Sequence, residues 1–219
     1  MKKLMMIAAM MLMSMGAFAQ NEVGQVTLKP MAGVNLATLT GLEENKMRVG
    51  LVAGVEAEYG VAENFGVSLG ALYSMQGTKW SEGDGTLTWK LDYINIPILA
   101  NYYVTKGLAI KAGIQPAFKA SAKAKASAGS NSIDGDLDGV SSFTLSVPLG
   151  ASYEYESFVF DVRYNLGVTK VFKENGDKTP KNSVIMFTLG YKFALESDNE
   201  FYISTMRFPS AEAHFFVGK

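Results

Sequence analysis

The chain has 219 residues, a formal net charge of -1, 48% hydrophobic residues and no cysteine. Outside the N-terminus, polar or charged residues interrupt every apolar segment within a few positions. This excludes a bundle of membrane helices, each of which needs roughly 20 apolar residues, and the near-neutral balance points to neither nucleic acid nor an acidic partner.

The chain opens with Lys2 and Lys3, an apolar Met-rich stretch from Leu4 to Gly16, and the small-x-small triplet Ala17-Phe18-Ala19 before Gln20. These are the basic, hydrophobic and cleavage regions of a secretory signal peptide, and the apolar run is too short for a membrane anchor. The expected organisation is therefore a signal peptide at 1–19, a folded domain at 20–194 and a C-terminal tail of unknown structure at 195–219. Without cysteine the exported chain has no disulfide staple and no lipid-modified N-terminus, so it needs a large core, a partner or a membrane to bury its apolar groups.

The first strand is expected over roughly Gln25 to Leu39, with an imperfect pattern. From Met47 to Tyr59 the alternation is strict: Met47, Val49, Leu51, Ala53, Val55, Ala57 and Tyr59 alternate with Arg48, Gly50, Val52, Gly54, Glu56 and Glu58. A period of two puts these sets on opposite faces of a strand, where a helix would mix them. Phe65, Val67, Leu69, Ala71, Tyr73 and Met75 repeat the pattern against Gly66, Ser68, Gly70, Ser74 and Gln76. A fourth strand spans roughly Leu87 to Val104. Its register is ambiguous over Ile94 to Leu99, and Pro97, which cannot donate to a ladder, suggests a bulge. Alternation resumes at Leu108 to Lys119, Phe143 to Tyr155, Phe158 to Thr169 and Ile185 to Phe193. About eight strands result, each long enough to cross a membrane when tilted.

The connections alternate in length. Thr40 to Lys46, Ala122 to Gly139 and Lys173 to Asn182 are long, and Ser81 to Gly85 extends its two strands. Gly60 to Asn64, Thr105 to Gly107 and Glu156-Ser157 are tight. Short periplasmic turns opposite longer extracellular loops are the pattern of a transmembrane barrel, with the N-terminus in the periplasm. Tyr59, Phe65, Tyr102, Tyr103, Tyr153, Tyr155, Phe158, Tyr191 and Phe193 fall at the tight-turn end, as an aromatic girdle would. Trp80, Trp89 and Phe172 fall at the other end, as the opposing girdle.

Alternation does not say which face is wet. The polar face carries Arg48, Glu56, Glu58, Lys111, Lys119, Glu154, Asp161, Arg163 and Lys192 among Gly and Ser. On a soluble surface this set is poor in charge and rich in Gly. Inside a narrow barrel the small residues make room for long charged ones, which then pair across the lumen as a satisfied network. The apolar face would then meet outer-membrane lipid. The rival is a soluble lipocalin-like carrier, with the apolar face turned inward around a ligand.

Three stretches carry a resemblance: Gly54-Val55-Glu56-Ala57-Glu58-Tyr59, Tyr73-Ser74-Met75-Gln76-Gly77 and Leu91-Asp92-Tyr93-Ile94-Asn95-Ile96-Pro97-Ile98. Together they resemble the outer-membrane β-barrel "porin family" domain, the small OmpX/OmpA-like barrels of Gram-negative bacteria. Gln76 and Asn95 stand where that family often has Lys and Glu. The resemblance covers nearly the whole mature chain up to Phe193. It implies an all-β, up-and-down antiparallel barrel, an outer-membrane location after export, and assembly by the barrel-assembly machinery. It says little about activity. One departure is the continuation past Phe193, where such barrels usually end on a terminal aromatic.

Candidate chemistry is sparse. His214, the only histidine, lies in the tail, away from any Ser or Asp at the loop rim. Asp134, Asp136 and Asp138, followed by Gly139, mimic the start of a calcium loop, but Leu145 stands where that loop needs Glu, so a solvated loop is the better reading. The charged lumen residues lack a nucleophile and a cleft, which argues for structure over catalysis. The run Lys119 to Lys125 keeps alternating past the membrane boundary; it either extends the strand and places cations near anionic lipid headgroups or flanks a solvated loop. The expectation is a non-enzymatic barrel without cofactor, with a structural or surface-interaction role, an unidentified loop ligand and a lumen filled by side chains. The alternatives are a passive channel for small solutes and the soluble carrier.

Overall fold

The computed structural model describes residues 23–42, 44–82, 85–128, 131–172 and 180–195; the signal peptide, His214 and the tail beyond 195 lie outside these. The described residues form one antiparallel sheet of eleven strand segments. These are β1 (Val26–Thr40), β2 (Lys46–Ala62), β3 (Phe65–Glu82), β4 (Gly85–Asn95), β5 (Ile98–Tyr103), β6 (Leu108–Ala128), β7 (Asn131–Asp136), β8 (Phe143–Tyr155), β9 (Phe158–Gly167), β10 (Lys181–Tyr191) and β11 (Phe193–Leu195). β5 continues the passage begun by β4, β11 continues β10, and β7 is a hairpin partner of β6 alone. Eight passages remain, and the last pairs with the first: Met31 lies opposite Gly190 and Thr40 opposite Lys181. The sheet therefore closes into a ring, which removes the unpaired edges an open sheet would present to lipid.

The faces sort by period two. Outward side chains include Val49, Leu51, Leu69, Ile110, Leu149 and Phe160, which are half or more exposed. The inward set includes Lys29, Asn35, Glu56, Gln76, Asn101, Lys111, Gln115, Asp161, Arg163 and Asn165, all nearly inaccessible. This facing overturns the soluble-carrier alternative, because the cavity wall that would hold an apolar ligand is the polar face. The arrangement inverts that of a soluble protein, as expected when hydrocarbon is the solvent.

Three regions depart from the sequence-based expectation. The chain is extended through Ala128 and returns as β7, so much of the polar loop expected over 122–139 is strand, and β6 and β7 together with the paired ends of β3 and β4 project beyond the ring. The ladder breaks at Ile96-Pro97, but the register with β3 and β6 is the same on both sides of the break, so no residue is inserted there. The bulge lies opposite instead, at Ala120: Tyr93 pairs with Lys119 and Asp92 with Ser121. A second register shift, between Met47 and Val52 of β2, changes what Arg48 reaches.

The loop end is closed by an apolar cap. Leu39, Leu91, Tyr93 and Ala117 from the wall meet Val140 and Val171 from the long connections, with Leu42, Trp89, Ala122, Leu137 and Phe172 packed around them. The cap is tied down by the Val140–Phe172 bridge and by Ser141 N–H donating to the Val171 carbonyl at 2.7 Å.

Candidate functional site: a charged lumen

Four strands deliver five side chains to one buried cluster. β1 brings Lys29, β2 Glu56, β6 Lys111, and β9 both Asp161 and Arg163, two residues apart on the same face. Glu56 Oε1 accepts from Lys29 Nζ at 2.8 Å and pairs with Lys111 Nζ at 3.4 Å, while Oε2 accepts from Arg163 Nη2 at 2.6 Å. Asp161 accepts from Arg163 Nε at 2.7 Å and pairs with Lys111 at 3.0 Å. Arg163 engages Asp161 through both Nε and Nη2, a forked geometry that lysine does not reproduce. Three cations and two anions thus share one water-poor space.

A second layer lies toward the tight turns. Lys192 Nζ donates to Glu154 at 2.5 Å and sits 5.9 Å from the Tyr103 ring centroid, and the Tyr103 hydroxyl donates to Glu58 at 2.5 Å. Lys192, Glu154 and Glu58 sum to one negative charge, which offsets the surplus positive charge of the cluster above. Adjoining the charged layers is an apolar patch of Met31, Val52, Leu72 and Met186. Neutral polar contacts continue along the wall, with Asn35 and Gln76 both donating to Ser74 Oγ.

The structure brings together Glu56, Lys111, Asp161 and Arg163, and adds Lys29, which the imperfect first-strand pattern concealed. Glu58, Glu154 and Lys192 form the second layer. Two expected members lie elsewhere. Lys119 donates to the Val140 carbonyl at 3.2 Å and so supports the cap. Arg48, beside the β2 register shift, pairs with Asp92 at 3.7 Å and donates to the Gln76 carbonyl. The hydroxyl of outward-facing Tyr73 donates to the same Asp92 at 3.0 Å.

Among the aromatics, Tyr59, Tyr102, Tyr155, Phe158, Tyr191 and Phe193 are exposed on the outer face at the tight-turn end. Phe65 and Tyr153 share that outward face and are half-buried. Tyr103 departs from the girdle expectation: it follows outward Tyr102 on β5, so period two turns it inward to Glu58. Trp80 and Trp89 also depart. Trp89 pairs with fully buried Thr78 and packs on the cap, 5.2 Å from Phe172 and 4.7 Å from Trp80 between ring centroids.

Asp134 and Asp136 stand in extended β7 opposite Lys125 and Lys123, and no group of acidic residues among those described converges as metal ligands would. Ladder pairing with β6 keeps the chain straight, where an ion would need it wound.

The lumen is nearly full. One cavity of about 10 Å³ lies among Lys29, Glu58, Tyr103, Lys111, Glu154 and Lys192. Another, also about 10 Å³, lies among Gln76, Asn95, Gln115, Ser146, Asn165 and Asn182. Each is about the size of a single water molecule.

Residues 18–173 match the family model of an outer membrane protein beta-barrel domain. Among solved structures the chain is similar to Ail, the attachment invasion locus protein of Yersinia pestis, solved with the heparin analogue sucrose octasulfate. The two are 15% identical over 78% of this chain and 100% of that one, with a TM-score of 0.46. It is also similar to Neisserial surface protein A, at 14% identity over 77% of this chain and 97% of that one, with a TM-score of 0.46. OprG from Pseudomonas aeruginosa is 17% identical over 81% of this chain and 99% of that one, with a TM-score of 0.39. No curated protein matches the sequence.

Proposed function

Because this chain belongs to the outer membrane protein β-barrel domain family, and is therefore an outer-membrane protein, we propose that it is a non-conducting, non-enzymatic barrel whose role is structural and interactive. The tight turns face the periplasm, and the connections at the capped end are displayed outward for contact with the environment. Export relies on the signal sequence expected at 1–19, and insertion on the barrel-assembly machinery.

One observation carries this reading: among the described residues the lumen within the ring is filled by paired charges, amides and the apolar cap, and the two cavities between them are about 10 Å³ each. Hydrated ions need a continuous path, and an eight-stranded barrel is just wide enough for its own side chains. Passive conduction would require the Glu56–Arg163 contact and the cap to open together. The test is single-channel recording of pure protein in planar bilayers. The expected record is a closed baseline, and steady large openings would establish the passive-channel alternative instead.

A further inference from the structure

Beyond this general role, we propose that the outer face of the β3–β4–β6–β7 projection is a binding surface for phosphate-bearing headgroups of anionic lipids in the leaflet at the capped end. The argument begins with register. Leu91 pairs with Ala122 and Trp89 with Ala124, and these inward residues alternate with an outward set. In that outward set Lys90 lies directly opposite Lys123, Thr88 opposite Lys125, and Lys79 opposite Thr88. Four ammonium groups thus occupy neighbouring positions on three strands.

Their counter-charge is thin. Lys123 faces Asp136 and Lys125 faces Asp134 across the β6–β7 ladder, and Lys90 reaches Asp134 only at 3.5 Å, with that carboxylate half-exposed. Like charges directly opposite on a sheet are destabilising. The pattern carries a net positive charge that an external anion would satisfy.

Height selects the anion. At about 3.3 Å per residue along a strand tilted by roughly 40°, each residue climbs about 2.5 Å along the membrane normal. Counting from Phe65 at the tight-turn rim, an apolar band of about 25 Å ends near Met75 of β3. The last outward row without a charged residue is Tyr73, Ile94 and Phe118, linked by register and all exposed. Lys90 and Lys123 stand one alternation beyond the Met75–Asp92–Ser121 row, about 5 Å above the band edge, where headgroups lie. Lys79 and Lys125 stand one alternation higher, and their flexible stems let the ammonium reach down to the same layer. A soluble anion gains nothing from that height, whereas a lipid phosphate is held there by its own acyl chains.

The test uses the full chain in phosphatidylcholine nanodiscs containing bisphosphorylated lipid A as a minor component, with retained lipids counted by native mass spectrometry. Wild-type protein is expected to retain lipid A well above its input ratio. The triple variant K90Q/K123Q/K125Q, checked for folding by heat-modifiable gel mobility, should lose about tenfold or more of that enrichment. Asp134→Asn keeps every lysine, removes a competing anion and should raise it. Equal enrichment in wild type and triple variant, no enrichment in wild type, or unchanged enrichment in Asp134→Asn would each overturn the proposal. Inorganic phosphate should leave retention intact; displacement by it would assign the lysines to free phosphate rather than to lipid. Should the triple variant fail to fold, the Asp134→Asn comparison decides alone.

Discussion

Glu56→Gln tests whether the lumen is held by charge or merely by shape. The substitution keeps volume and one acceptor oxygen, replaces the other with a donor NH2, and removes one of two anions from among three cations. Glu56 contacts Lys29, Lys111 and Arg163, whereas Lys29 makes a single ionic contact among the described residues, to Glu56. After Glu56→Gln, Asp161 still holds Arg163 and Lys111, but Lys29 becomes a buried cation without a contacting counter-ion, with Asp161 and Glu154 acting on it only at longer range. Removing one member of a buried pair costs about 3–5 kcal/mol through the charge left behind. Lys29→Met removes a cation of similar volume and leaves Glu56 with two cationic partners. It should therefore cost less, about 1.5–3 kcal/mol, as for one lost hydrogen bond to a charged group. The double variant K29M/E56Q is decisive. If stranded charge is the penalty, removing Lys29 relieves it, and the double variant is more stable than Glu56→Gln alone. The measurement is the folded fraction by heat-modifiable gel mobility across a urea series in phosphatidylcholine vesicles. Further destabilisation on adding Lys29→Met to Glu56→Gln would refute the charge account and leave packing as the explanation.

Two further substitutions probe the wall. Leu69 is 56% exposed on the outer face, and neighbouring Ser68 is buried in the lumen, so Leu69→Arg should cost about 2–4 kcal/mol in the bilayer and Ser68→Ala far less; equal tolerance in an insertion assay would contradict the facing. Gly77 has φ +125°, and a Cβ there would lie 2.0 Å from the Trp89 carbonyl oxygen, so Gly77→Ala should destabilise by about 1–3 kcal/mol. Gly135→Ala, where a Cβ meets nothing within 4 Å, should change stability by no more than about 0.5 kcal/mol in the same urea series.

The parts of the fold legible in the sequence are those written in period two. Met47 to Tyr59 and Phe158 to Leu166 state both strand and facing, because the two faces meet different solvents and the residues sort accordingly. The illegible parts are those where the pattern meets a local irregularity. Lys29 belongs with Thr27 and Asn35 on one face of β1, but Gly33 and Pro30 blur the alternation there. Tyr102-Tyr103 reads as a rim pair, yet consecutive strand residues must diverge, and Tyr103 enters the lumen. The tryptophans suggested a girdle by composition, while Trp89 follows the same parity as buried Leu91 and Tyr93. The β6–β7 hairpin is rich in Ala, Ser, Lys and Asp, residues with little intrinsic preference for strands, so the alternation of Lys119 to Lys125 hints at the extension and the ladders with β4 and β7 establish it. The cap is invisible in sequence because Leu137, Val140, Val171 and Phe172 lie in connections, where no period links them.

The charged cluster also explains how the ring finds one register. A transmembrane strand with a uniformly apolar outer face and small inner residues slides by two at little cost, and a slip by one exchanges its faces. In β9 such an exchange would bring Phe160, Val162 and Tyr164 into the lumen and put Asp161 and Arg163 into hydrocarbon. Each cation at mid-membrane costs about 2–4 kcal/mol there, and the partners left inside would lose their counter-charges. A slip by two fares little better: it keeps the facing but carries Asp161 and Arg163 past Glu56 and Lys111, whose contacts span 107 residues of chain from Arg163 to Glu56. Only one combination of registers among β1, β2, β6 and β9 lets all five side chains meet. The cluster therefore contributes less to net stability, where desolvation offsets much of the attraction, than to selecting the closed arrangement from its near neighbours.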